Sequence, residues 1–154
     1  MEQGNQNGFT LVELVITLAL FGILVLIGIG MSSNTLGRNQ TGNVTQDIVT
    51  TLRRAQWQSM NGHEDTEWGV HFETNQFVLF KAPTYSALDP DNVVTSLPND
   101  IDLTNISLNG AGVNVIFNSD FGASDEYGSL KIDHTSSDKE QTVTVNAAGM
   151  IDWN

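Results

Sequence analysis

Glu13 is the residue whose chemistry most needs a reason, because it stands near the start of a membrane-length apolar run over residues 8–31 that opens Gly8-Phe9-Thr10-Leu11-Val12-Glu13. An ionisable side chain in hydrocarbon costs about 2.5–3.5 kcal/mol at a helix centre and less near an end, so it marks a partner or a function rather than packing. An amine is the natural partner. A cut between Gly8 and Phe9 would place a new ammonium at Phe9, one helical turn ahead of Glu13, in reach of the Glu13 of its own or a neighbouring subunit. A carboxylate in the first turn is also favoured by the helix dipole, but that term, ~0.3–1 kcal/mol, is smaller than the cost of burial in lipid.

The other residues that could do chemistry form no constellation. His63, His71 and His134 lack the close spacing of a zinc site, and there is no cysteine to supply a thiolate. Asp89-Pro90-Asp91-Asn92 has the look of a calcium loop, yet Val93 takes the third ligand position and no Gly and Glu follow where such a loop needs them, so a solvated turn is expected. No G-x-S-x-G elbow or S-x-x-K pair activates a hydroxyl. Asp125 and Glu126 are adjacent, and strand alternation would point them apart. No catalytic, cofactor-binding or metal residue is assigned, and an enzyme is not expected.

Two helical stretches precede the strands. The apolar run is long enough for a membrane, since about 20 residues at 1.5 Å each cover the ~30 Å hydrocarbon core. A secretory signal would have a basic n-region and a core of roughly 7–15 residues, whereas this run is longer and Arg38 is the first basic residue. A plain signal anchor fits the length and leaves Glu13 unexplained. Gly22, Gly28 and Gly30 permit close helix contacts or local melting, although glycine is also common in membrane helices. Residues 32–43 are polar, with Gly37 and Gly42, and read as a hinge or a weak continuation of the helix. Val44, Ile48, Leu52 and Ala55, flanked by Val49 and Met60, then recur at three- and four-residue spacing and predict an amphipathic helix over 44–60, ended by Asn61-Gly62. Its stripe is expected to pack on a sheet.

From there the period becomes two. Strands are predicted at 68–72, 76–81, 101–108, 113–117, 129–133, 142–146 and 150–153, with turns at Thr74-Asn75, Asn109-Gly110, Gly122, Gly128 and Gly149. Residues 82–98, with Pro83, Pro90 and Pro98, read as an irregular loop. Trp57, Trp68 and Trp153 are expected in the core rather than on a partner-facing patch. The fold class is therefore α+β: a long N-terminal helix packed on an antiparallel sheet or sandwich.

The head of the run, Gly8-Phe9-Thr10-Leu11-Val12-Glu13 followed by apolar residues, resembles the class III signal of type IV pilins and of type II secretion pseudopilins. The resemblance implies cleavage by a prepilin peptidase after Gly8, N-methylation of Phe9, and filament assembly through the retained helix with Glu13 supporting docking. Further on, Leu52-Arg53-Arg54-Ala55-Gln56, Trp68-Gly69-Val70-His71-Phe72, Leu97-Pro98, Val115-Ile116-Phe117-Asn118, the segments 128–132 and 142–146, and Gly149-Met150-Ile151 are similar in order and spacing to the H-type pseudopilins and related minor pilins. That likeness implies a pilin fold and a subunit that caps or initiates a filament. It divides the chain into a leader (1–8), a transmembrane and assembly helix (9–31), an amphipathic helix (32–62) and a β-rich extracytoplasmic domain (63–154). The implied partners are other pilin or pseudopilin subunits, prepilin peptidase and an inner-membrane assembly platform. The implied location is the inner membrane, single-pass, and then a periplasmic or cell-surface filament.

Composition narrows what else is possible. Eighteen acidic residues against six basic ones give a net charge of −12, which repels phosphate and argues against nucleic acid as a partner. It also leaves the helix as the expected membrane contact. With the apolar segment set aside, about 120 residues remain, enough for one core. A membrane-anchored binding module or adhesin, recognising a ligand through the loop 82–98, is the alternative from another class; an anchored hydrolase is a third.

Overall fold

A computed structural model of the chain describes residues 9–62 and 66–154, with backbone alone over 26–39. The chain divides into two compact units at Leu36 and Gly37. Helix α1 covers Leu11–Met60, so the polar stretch 32–43 is helical, and of the two sequence readings the continuation is the one observed. The helix stops where Gly62 takes a left-handed φ of 59° and donates its N–H to Ser59 O at 3.0 Å, a geometry glycine adopts without steric penalty.

In the second unit α1 is followed by β1 (Trp68–Glu73), β2 (Gln76–Lys81), β3 (Val93–Ser96), β4 (Ile101–Leu108), β5 (Asn114–Phe117), β6 (Gly128–His134), β7 (Glu140–Val145) and β8 (Ile151–Trp153). They form two four-stranded sheets, ordered β3-β2-β1-β5 and β4-β6-β7-β8, and every pairing is antiparallel. The architecture is α+β, a helix with an antiparallel β domain, and is consistent with the pilin fold. Short turns set the registers. Thr74-Asn75 closes β1 on β2 with Glu73 opposite Gln76, and Thr74 O then accepts Leu103 N–H at 2.8 Å, tying the first sheet to β4 of the second. In β4 the alternation breaks between Thr104 and Ser107, where Asn105 takes a φ of 45° and the strand bulges against β6.

The core is one cluster drawn from all three layers. Val44, Ile48, Val49, Leu52 and Ala55 of α1 meet Val70, Phe72, Phe77, Leu79, Val115 and Phe117 of the first sheet and Ile101, Leu103, Leu130, Ile132, Val143 and Val145 of the second. Each such side chain contributes about 1.5–3 kcal/mol on burial, so the helix stripe is held by its apolar face and not by intrinsic propensity. Several polar groups of the helix are paired, while the buried Gln58 Oε1 has no partner among the described residues. Trp68 N–H donates to the buried Ser59 Oγ at 2.7 Å, and Gln56 Nε2 donates to Gly122 O at 2.8 Å and Gly149 O at 2.9 Å. Gly149, at φ 78°, lies so close to Gly122 that a Cβ there would stand 1.9 Å from the Gly122 carbonyl oxygen.

Three expectations are corrected. The stretch 82–98 is not wholly irregular: Val93–Ser96 forms the edge strand β3 on β2, which its exposed pattern concealed from a search for alternation. Its first part covers the outer face of the first sheet, with Tyr85 stacked on His71 at 3.7 Å and edge-on to Phe80 at 5.5 Å, so that β2 is buried on both faces. Of the tryptophans, Trp68 is core, Trp153 is half-buried, and Trp57 is 63% exposed, because it lies off the stripe set by Ile48, Leu52 and Ala55. Met60 is likewise exposed rather than a flank of the stripe.

Candidate functional site

The site the sequence points to is the N-terminal end of α1. Thr10 precedes the helix, and its Oγ1 accepts the Glu13 backbone N–H at 3.3 Å, while Thr10 O accepts Leu14 N–H at 3.2 Å as the first helical bond. This is an N-cap, in which a side-chain oxygen satisfies a first-turn N–H that the helix itself leaves without a partner. Thr10-Leu11-Val12-Glu13 has the S/T-x-x-E spacing of a capping box. Only its Thr-to-backbone half is formed, and the Glu13 carboxylate has no partner among the described residues. The consequence is a fixed helix start: Phe9 lies just outside it and is 85% exposed, and Glu13 sits in the first turn. Thr17 turns inward on its own helix, its Oγ1 donating to Glu13 O at 3.0 Å and Leu14 O at 2.9 Å, so its hydroxyl presents no unmet polarity.

Beyond the cap, the large apolar side chains from Leu11 to Val25 are all exposed, between 54% and 81%. They occupy every face of the helix, so no stripe of this stretch is matched to a core of its own. Gly22 has open space around the position of a missing Cβ. Among the described residues no helix is long and apolar enough to cross a membrane. The expected transmembrane run extends to Met31, and the side chains past Val25 lie outside the description, as does the expected cleavage residue Gly8.

The histidines are placed for structure. His71 Nδ1 lies 2.6 Å from Asn114 Oδ1 on the neighbouring strand β5, its Nε2 lies 3.3 Å from Glu73 Oε1 two residues further along β1, and the Tyr85 ring stacks on the imidazole. Burial, and then the Glu73 carboxylate, push the Tyr85 phenol above its ordinary value. His134 accepts Ser136 N–H on Nδ1, which leaves Nε2 as the donor to Gln40 Oε1 at 3.1 Å. His63 lies outside the described residues. Asp89 and Asp91 belong to a turn in which Asp89 Oδ1 accepts Asp91 N–H and Asp91 pairs with Lys81 at 2.6 Å. Among the described residues no group of three or more His, Cys, Asp or Glu is placed to hold a metal ion. The residue that sequence reading passed over is Thr10, although its spacing from Glu13 carried the signal.

Residues 3–29 match the model of the prokaryotic N-terminal methylation motif. No curated protein and no solved structure matches the chain. The chain thus carries a signal of the type IV pilin class, and that signal spans the capped helix start, Phe9 and Glu13.

Proposed function

We propose that this protein is a structural subunit of a type IV pilus-like filament or a type II secretion pseudopilus. Prepilin peptidase cleaves it between Gly8 and Phe9 and methylates Phe9, and it then assembles through α1 onto other pilin-class subunits at an inner-membrane platform. The observation that carries the reading is a coincidence of three features: the methylation motif over 3–29, a capped helix start that sets Glu13 one turn from Phe9, and a following stretch whose apolar side chains have no intramolecular cover. Bundling such helices buries their apolar faces and gives each carboxylate an ammonium partner in a low-dielectric setting, where one unpaired ion is costly. The order of the motifs between Leu52 and Ile151, in a domain of two antiparallel sheets, supports placing the chain with the H-type pseudopilins and related minor pilins.

The test is the intact mass and N-terminal sequence of the protein extracted from native membranes. A chain beginning at Phe9 and heavier by one methyl is expected. One that retains residues 1–8 would overturn the reading in favour of a simple anchor.

A further inference from the structure

We propose that a cleft beside the C-terminal turns of α1 receives the tip of the β2–β3 loop from a second copy of this chain. The proposal rests on the filament reading only in that assembly brings copies together, and two adjacent copies suffice for it.

The cleft, of about 430 Å³, is lined by Arg53, Gln56, Ala148, Gly149, Met150 and Ile151. Its floor is kept in place by Gln56, whose amide ties α1 to the Gly122 and Gly149 carbonyls. Its rim is apolar and cationic. The Arg53 guanidinium lies over the Trp153 ring at 5.3 Å, Met150 is 67% exposed, and Trp57 stands exposed one turn beyond Arg53. Arg54 is exposed beside them, and among the described residues neither arginine forms an ion pair, on a chain of net charge −12. Two unpaired guanidiniums next to exposed aromatic and thioether groups suit an acidic partner with an aliphatic tip.

That chemistry is present on the same chain. Between β2 and β3, Asp89 N–H donates to Ser86 O at 3.1 Å, Asn92 Nδ2 to Ser86 O at 2.7 Å, Asp91 N–H to Asp89 Oδ1 at 2.9 Å and Lys81 Nζ to Asp91 Oδ2 at 2.6 Å. The turn is therefore built, and at its tip stands Leu88, 94% exposed, next to Asp89. A lone exposed leucine on a mobile loop needs no explanation. Held out by a hydrogen-bonded turn, it is preorganised to meet the Met150 and Ile151 side of this part-polar cleft with little loss of conformational entropy. Tip and cleft occupy different surfaces, so the contact is head-to-tail between copies and not reciprocal. It is too small to hold free subunits together and acts where helix association has already raised the local concentration.

The natural chain contains no cysteine, so introduced thiols report without background. Full chains carrying Leu88→Cys and Met150→Cys are co-expressed with prepilin peptidase, and membranes are treated with a short bis-maleimide. A cross-linked product joining Leu88→Cys of one copy to Met150→Cys of another is expected, with its loss when Arg53→Glu and Arg54→Glu are added. Absence of that product above a Leu88→Cys plus Ser136→Cys control, in chains shown by mass to begin at methylated Phe9, would overturn the contact and leave the filament reading intact. Linkage of Met150→Cys to a different protein alone would also overturn it. The expected product from chains that keep residues 1–8 would support the contact and overturn the processing.

Discussion

Two stretches of one helix, residues 11–25 and 41–60, have the same backbone and opposite relations to their surroundings. In the first, every large apolar side chain is exposed; in the second, Val44, Ile48, Val49, Leu52 and Ala55 are buried almost completely while Arg53, Arg54 and Trp57 stay in solvent. The sequence difference behind this is the width of the apolar surface. A stripe of about 100° asks for one sheet face and finds it in the same chain, whereas a helix apolar all round needs lipid or other helices on every side. The contrast is in cover: the later stretch draws its stability from its own fold, whereas the apolar side chains of the earlier one are left without cover among the described residues.

The sharpest way to break this contrast is at the carboxylate. Glu13→Val removes the charge from the first turn, in the first of the two compact units, so filaments are expected to be lost while membrane insertion and domain stability are kept. Electron microscopy counts of filaments, beside membrane fractionation, check this. Wild-type filament numbers would remove Glu13 from assembly. The next largest effect separates the halves energetically. Leu52→Ala empties a site that is fully buried and should cost about 2–5 kcal/mol of domain stability. Leu18→Ala, the same deletion on the exposed stretch, should leave it unchanged. Denaturation midpoints of the full chain in detergent micelles measure both, and equal losses would mean that the two stretches are not independent.

How much of this was legible follows from what each pattern depends on. The buried stripe of α1 and the strands around Val70, Leu79, Ile132 and Val143 were readable because a period of 3.6 or 2 records which face meets a core. Asn61-Gly62 was readable as a stop because the left-handed turn there selects glycine. β3 was not, since Val93 and Val94 are both exposed and the strand exists only through its pairing with Leu79 and Val78. Trp57 was misplaced for a related reason: bulk and apolarity favour burial, but helical phase decides it, and Trp57 is out of phase with Leu52 and Ala55. At the candidate site Phe9 and Glu13 were legible as chemistry. The capping role of Thr10 was not, because a threonine at the head of an apolar run is a cap only where the helix starts, and it is the helix start at Leu11 that brings its hydroxyl to the Glu13 N–H.

Smaller effects sharpen the picture at the end of the later stretch. Gly149→Ala imposes a side chain on a residue at φ 78° and drives its Cβ toward Gly122 O, so it should cost about 1–3 kcal/mol from backbone strain alone, read as a lowered denaturation midpoint. Gln56→Ala leaves the same two glycine carbonyls without their shared donor and should cost about 1–3 kcal/mol. If Gly149→Ala were neutral, the junction of α1 with these loops would be looser than its hydrogen bonds imply.

The smallest expected effect lies at the other end of the helix and tests whether the earlier stretch has any order of its own making. Thr10 contributes one hydroxyl, and its removal in Thr10→Ala should cost about 1 kcal/mol of local helix stability. Thr10 belongs to the first of the two compact units, so the denaturation midpoint of the globular domain should not move. What should change is hydrogen exchange at the first turn: the Glu13 amide loses its acceptor and should exchange about fivefold faster in micelles, since 1 kcal/mol corresponds to about that factor. Thr10→Ser keeps the hydroxyl and should restore protection. Unchanged exchange in Thr10→Ala would mean that surrounding detergent, not the cap, sets the helix start, and the placement of Phe9 one turn from Glu13 would then depend on the environment the helix enters.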